Sequence, residues 1–234
     1  ILNEIYTKES LNYSYKKSTL KKTINVSSLN ITDNSYSYSV APNSNFIVIG
    51  NYKYNNNTGN VCIFNFLNNN KITIPNSNQN NNDLFGYNVI YDNLDNNGTV
   101  AIGSPGYDNN RGKISIYSFD NSQLIYELSG INPFDNSQLI YELSGNNLNE
   151  NVGYSFDYKV LNSSSSFLAA ISKSPSQISI YSRNGSSWSP RGSIAVLSLS
   201  NDSIVKINNY GDKLLVSDPK HNSDGGRIYI YTYN

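Results

Sequence analysis

The chain has 234 residues, a formal net charge of zero, 38% hydrophobic and only 15% charged side chains. The balanced charge argues against nucleic acid or an anionic membrane as partner, and no apolar run approaches the roughly 18 residues that a membrane-spanning helix needs. A single cysteine, Cys62, excludes an intrachain disulfide and reads as a small buried hydrophobe; the absence of methionine predicts a processed product or a fragment.

Along the chain, short β-type runs alternate with Asn- and Ser-rich turns. Residues 1–28 hold a partial unit, with strand-like runs at 11–15 and 20–26. Lys16, Lys17, Lys21 and Lys22 lie beside them and read as edge charges that discourage strand-to-strand aggregation. Residues 30–76 form the first full unit, with strands expected at 36–40, 46–50, 61–66 and 71–74. Residues 84–130 repeat the order at 86–90, 99–103, 114–119 and 123–128. Residues 150–196 do so at 153–156, 167–171, 178–183 and 188–196. Residues 201–234 carry three strands, at 203–207, 213–216 and 228–233, and lack the fourth. No sustained helical periodicity appears.

The third strands open at Val61, Ile114, Ile178 and Ile228, with spacings of 53, 64 and 50 residues. The long spacing has a visible cause. The string FDNSQLIYELSG at 119–130 recurs at 134–145, an offset of 15 residues, and removing one copy restores the period. Residues 131–145 therefore read as a duplicated insert, with 138–143 left as an unpaired strand and a natural edge for self-association. Gly59, Gly112 and Gly226 each stand just before a third strand, where a hairpin asks for positive φ. The near-continuous apolar runs FIVI, TVAI and FLAA predict strands covered on both faces. A four-stranded antiparallel unit repeated about every 50 residues predicts one all-β domain over 1–234, a β-propeller with four to five blades in this chain.

The second unit carries Phe85-Gly86-Tyr87-Asn88-Val89, then Ala101-Ile102-Gly103-Ser104-Pro105, then Gly112-Lys113-Ile114-Ser115-Ile116-Tyr117. The third has Val152-Gly153-Tyr154-Ser155, Ser174-Pro175 and Asn184-Gly185-Ser186-Ser187-Trp188; the last has Ser217-Asp218-Pro219 and Gly225-Gly226. In order and spacing these residues resemble the FG-GAP repeat of integrin-α-type propellers, over residues 30–234. The resemblance implies a propeller and, in many relatives, a calcium loop between the first and second strands. Asn93, Asp95 and Asn97, followed by Gly98, occupy that place here with oxygen ligands at alternate positions. Ala101 stands where the family commonly has a further Asp, and the competing reading is a plain Asn/Gly turn. No other cofactor is expected.

Other candidate chemistry is sparse. His221 is the lone histidine, in a polar turn, so neither a hydrolytic triad nor a multi-histidine metal site is expected. Asp92, Asp95, Asp108, Asp212, Asp218 and Asp224 lie in expected turns, and nothing pairs two of them as a glycosidase would require. Sequons for N-glycosylation occur at Asn12, Asn25, Asn30, Asn56, Asn97, Asn162, Asn184 and Asn201. Tyr117, Tyr181 and Tyr231 are expected between blades, whereas Tyr52, Tyr54 and Tyr107 are expected in exposed loops.

These features predict a non-enzymatic scaffold for protein–protein or surface recognition, extracellular or on a virion or cell surface, whose partner is another protein or a second copy. The alternatives are a glycan-binding lectin-like propeller and a propeller glycosidase. Nucleic-acid binding and membrane insertion are not expected. A secretory route predicts that the native chain has an intact mass above 26.1 kDa that falls on enzymatic removal of N-glycans; a mass unmoved by that treatment would count against it.

Overall fold

The structure, a computed structural model, describes residues 35–41, 44–94, 97–120, 138–196, 199–200 and 202–232. The partial unit at 1–28 and the first copy of the repeated string beyond Asp120 lie outside these residues. The described chain is all-β and β-propeller-like, built of four antiparallel sheets in which sequential strands are neighbours. Blade 1 contains β1 (Ser37–Val40), β2 (Phe46–Asn51), β3 (Asn60–Asn65) and β4 (Lys71–Pro75). Blade 2 contains β5 (Asn88–Leu94), β6 (Asn97–Ser104), β7 (Lys113–Asp120) and β8 (Gln138–Ser144). Blade 3 contains β9 (Phe156–Asn162), β10 (Ser165–Lys173), β11 (Ser176–Asn184) and β12 (Ser187–Ala195). Blade 4 has three strands among the described residues, β13 (Ile204–Ile207), β14 (Lys213–Asp218) and β15 (Arg227–Thr232).

Two expectations are corrected. Residues 138–143 are not an unpaired insert, because β8 pairs with β7 from Lys113↔Ser144 to Ser118↔Gln138. Of the two copies of the repeated string, the second supplies β8, which runs on into blade 3. Gly145 ends that strand against blade 2, its N–H on the Gly112 carbonyl at 3.0 Å. The first strands of blades 2 and 3 also begin later than expected. Gly86 and Gly153 have φ of 90° and 94°, so each sits in a turn and the strand starts beyond it.

The first strands β1, β5, β9 and β13 pack in succession along the inner side of the stack. Each is the edge of its own sheet, so part of its N–H row lacks a ladder partner. The preceding blade supplies acceptors from side chains. Tyr91 N–H donates to Ser39 Oγ at 2.9 Å, Val160 N–H to Asp92 Oδ2 at 3.2 Å, Val205 N–H to Ser155 Oγ at 3.3 Å, and Ile207 N–H to Asp157 Oδ2 at 2.9 Å.

Apolar side chains fill the space between blades. Val48, Val61 and Ile63 meet Val89, Val100 and Ile102 between blades 1 and 2. Ala101, Ile114 and Ile116 meet Phe156, Tyr158 and Leu168 between blades 2 and 3. Ala169, Ile178 and Ile180 meet Val205, Leu214 and Val216 between blades 3 and 4. Tyr117, Tyr181 and Tyr231 pack against these three clusters, as expected. Cys62 lies with Ile49 and Phe64 on the other face of blade 1, and burial pushes its thiol up to about 11.

The Asn-rich turns have a conformational cause. In blades 1, 2 and 4 the second and third strands are joined by single helical turns, Tyr54–Asn57, Tyr107–Asn110 and His221–Asp224. Three consecutive residues of each turn are left-handed: Asn55, Asn56 and Asn57; Asp108, Asn109 and Asn110; Asn222, Ser223 and Asp224. Asn and Asp tolerate this region better than other residues with a side chain. The turns then hold the following blade. Leu84 and Phe85 donate their N–H groups to the carbonyls of Asn57 and Thr58 at 2.8 and 3.2 Å, and Asn151 and Val152 repeat this on Asn110 and Arg111 at 2.8 and 3.1 Å.

Replacing Asp157 by Ala leaves the buried Ile207 N–H without its acceptor and is expected to cost about 1–3 kcal/mol, whereas Asp157→Asn retains an acceptor and costs less. Urea unfolding of both variants measures the difference.

Candidate functional site

The lead-in to a blade places an aromatic ring at the mouth of the stack. In Phe85-Gly86-Tyr87 the Tyr87 N–H is anchored to the Leu84 and Gly103 carbonyls at 3.0 and 3.2 Å. In Val152-Gly153-Tyr154 the Tyr154 N–H is held by the Asn151 carbonyl at 3.1 Å. Tyr52, from the turn after β2, completes a row of three rings. The centroids of Tyr52 and Tyr87 are 5.0 Å apart, and those of Tyr87 and Tyr154 are 4.9 Å apart. Such spacing is that of favourable ring contacts.

Beside Tyr87 and Tyr154 opens a cleft of about 470 Å³, also lined by Asn88, Ser155, Phe156 and, from blade 4, Asp202, Ser203, Ile204 and Lys206. Blade 4 breaks the pattern: Asp202-Ser203 stands where blades 2 and 3 have Gly-Tyr, so the aromatic row gives way to charge. Asp202 pairs with Lys220 at 2.5 Å. Lys206 pairs with the buried Asp157 at 3.2 Å. Lys173 places its ammonium 3.4 Å from the Tyr154 centroid, and burial lowers its pKa against the opposing pull of Asp202. Tyr87 lies well above the ordinary phenol range, first through burial and then through its hydrogen bond with Tyr154. The rings of the row thus stand beside a rim that carries Asp202 and Lys206, with the Lys173 ammonium over Tyr154.

The residues singled out from sequence are dispersed. Asn93 pairs with Gly98 and Leu94 with Asn97 in the hairpin of β5 and β6, so two of the three calcium-loop positions are strand residues; Asp95 lies outside the described residues. Among the described residues no group of three or more His, Cys, Asp or Glu is placed to hold a metal ion. His221 Nδ1 lies 3.7 Å from Asp218 Oδ2. Asp92 and Asp218 accept backbone N–H groups from Val160 and Ser200, Asp212 accepts from the Asn208 amide, and Asp108 pairs with Arg111.

Of the sequon asparagines, Asn12, Asn25, Asn30 and Asn201 lie outside the described residues. Asn56 is exposed while Thr58 of its sequon is buried; Asn162 and Asn184 are exposed at the two hairpin ends of blade 3. Asn97 is a strand residue. Tyr54 and Tyr107 lie at the turns as expected, but Tyr52 belongs to the aromatic row. Sequence reading missed that row, although the repeated Gly-Tyr at 86–87 and 153–154 was its signal.

No family model and no curated protein matches the chain. Solved structures do. A DUF4623 family protein from Bacteroides eggerthii superposes with a TM-score of 0.50 at 11% identity, over 87% of this chain and 46% of that one. A fungal lectin, the six-bladed β-propeller Aleuria aurantia lectin described with a fucose recognition mode, superposes with a TM-score of 0.44 at 10% identity, over 78% of this chain and 54% of that one. The chain thus spans about half the length of each. At such identities the likeness concerns fold alone, and fucose recognition is a property of the lectin. No helix among the described residues is long and apolar enough to cross a membrane.

Burial also pushes the Tyr117 phenol up to about 12, with Glu142 adding to the effect. A phenol whose pKa is higher in the folded chain supports folding below its unfolded value of about 10, and that support is lost as pH rises toward the folded value. The expected result is a fall in stability above about pH 10, accompanied by late, cooperative phenolate absorbance; Tyr117→Phe should flatten the fall. Full titration of every tyrosine near pH 10 without unfolding would contradict it.

Proposed function

We propose that this chain is a non-enzymatic propeller of FG-GAP-type repeats that recognises another protein through the tyrosine-lined cleft, at a cell or particle surface. One observation carries the reading: the row Tyr52, Tyr87 and Tyr154 borders an open cleft whose far wall is charged. Tyrosine gives large amphipathic contact area at low entropic cost, and its rings are held here by backbone bonds before any ligand arrives. Asp202, Lys220 and Lys206 would set orientation and partner choice rather than bulk affinity. The engagement of Asp92, Asp212 and Asp218 in local hydrogen bonds supports a binding role over glycoside hydrolysis.

Glycan binding is the second reading. Asn88 and Asp202 beside the tyrosine rings offer the polar groups that would bond hydroxyls while a ring covers an apolar sugar face.

Selection from a displayed peptide library against the native chain, with a glycan array in parallel, tests both. The expected result is a selected peptide whose affinity falls at least tenfold, roughly 1.4 kcal/mol, in Tyr154→Ala, and remains unchanged in Tyr210→Ala, an exposed tyrosine away from the cleft lining. Array binding lost in Tyr154→Ala would favour the glycan reading. Peptides that bind Tyr154→Ala as well as the native chain would refute the cleft as the site.

A further inference from the structure

Lys113 and Lys173 each hold an ammonium over a tyrosine ring, but only one of them is also paired with a carboxylate. Lys113 Nζ stands 4.4 Å from the Tyr107 centroid and 2.8 Å from Glu142 Oε1. The ring covers the ammonium and the carboxylate takes up its N–H groups, so a lysine that is 4% exposed is paired as well as covered. Lys173 Nζ stands 3.4 Å from the Tyr154 centroid. Among the described residues, no carboxylate or other acceptor lies within hydrogen-bond distance of that ammonium. Burial lowers its pKa while Asp202 acts the other way, as expected for a charged form that is short of partners.

The chain brings Lys173 to the mouth by the route that brings Tyr52. Gly50, Gly103, Ile171 and Ser217 face Val61, Ile114, Ile178 and Ile228 across the second and third strands of the four blades. Two residues further on stand Tyr52, Pro105, Lys173 and Pro219. In blade 1 that position sends a ring against Tyr87, in the lead-in to the next blade. In blade 3 it sends an ammonium to Tyr154, within the field of Asp202 in the lead-in to blade 4. The aromatic row thus ends on a positive charge, and Tyr154 lines the cleft beside it.

The other charged groups around the cleft are engaged. Lys206 holds Asp157 at 3.2 Å and Lys220 holds Asp202 at 2.5 Å. Asp218 accepts from Ser200 N–H and Ser203 Oγ–H and lies 3.7 Å from His221 Nδ1. A cationic group of a partner would find Asp202 already held and would face Lys173, Lys206 and Lys220, a like-charge approach that costs affinity. An anionic group would find an ammonium whose N–H groups lack acceptors.

We infer that, given the cleft as the peptide-recognition site proposed above, the partner peptide presents an Asp or Glu carboxylate to Lys173. It completes at Tyr154 the arrangement of ring, ammonium and carboxylate that Glu142 completes at Tyr107. Hydrogen bonds between an ammonium and a carboxylate are among the stronger ones available to a side chain. Lys173 is half-buried, so salt screens this pair less than it would an exposed one. Lys173 therefore selects the acidic group, while the engaged Lys206 and Lys220 shape the field in which the peptide is oriented.

Peptides selected from a displayed library on the native chain, and retained where Tyr154→Ala abolishes their binding, test the inference. They are expected to share an acidic residue. Replacing that residue by its amide should weaken binding to the native chain about tenfold or more, roughly 1.4 kcal/mol. Lys173→Met should weaken the acidic peptide by a similar factor. The amide peptide should bind Lys173→Met no more weakly than the acidic peptide does, because both changes remove one interaction. Lys173→Arg, which keeps the charge, should retain the preference for the acidic peptide, and unchanged circular dichroism confirms that both variants fold. Tyr154-dependent peptides without a common acidic residue, or a cycle in which the two losses add, would overturn the inference and leave the cleft as a peptide site. Failure to obtain any Tyr154-dependent peptide would overturn both. Tyr154-dependent binding of acidic glycans alone would overturn a peptide as the carrier of the carboxylate.

Discussion

A four-stranded sheet of this repeat has two apolar faces and an inner edge whose N–H groups lack ladder partners. None of these is stable in water by itself. Another blade solves all three problems at once: it covers a face, brings side-chain acceptors such as Ser39 and Asp157 to the inner edge, and accepts part of its backbone onto a left-handed turn. Burial of apolar area supplies the larger share of the stabilisation, at roughly 25 cal/mol per Å². The hydrogen bonds fix the angle and height at which one blade meets the next, because a buried donor left unmet costs more than a formed bond gains.

That constraint also builds the mouth of the molecule. The segment that docks each blade is the one that delivers Tyr87 and Tyr154 to the surface, one residue after a glycine with positive φ. Gly50 and Gly103 permit the close approach, since a Cβ on either would lie 2.1 Å from the carbonyl oxygen of Gly86 or Gly153. Blade 4 relaxes both halves of the arrangement. Ile171 of blade 3, which precedes it, and Ser217 of blade 4 itself take the glycine position, and Asp202-Ser203 takes the Gly-Tyr position. The aromatic row therefore ends at blade 4, and a charged wall faces it. The make-up of the cleft is a by-product of how the blades are tied together.

Much of the architecture was legible in the amino-acid order because it is local. Alternation with period two marked the strands, the spacing of Val61, Ile114, Ile178 and Ile228 marked the repeat, and the glycines before the third strands marked the turns. Asn and Asp at three consecutive left-handed positions are a local preference as well, though their conformation was legible only as a polar turn. Which copy of the repeated string enters blade 2 was not local. Residues 123–129 and 138–144 are identical, so no side chain within the string marks the copy that forms β8. The aromatic row was not local either: Tyr52, Tyr87 and Tyr154 come from three blades, and no spacing along the chain tells how far apart their rings will lie. The sequence by itself determined the strands, the repeat and the two-sided apolar character of each blade, since these follow from side-chain order along one backbone. Only the tertiary structure decided which tyrosines meet and which carboxylates are consumed as backbone acceptors, because each depends on the angle at which separate blades pack.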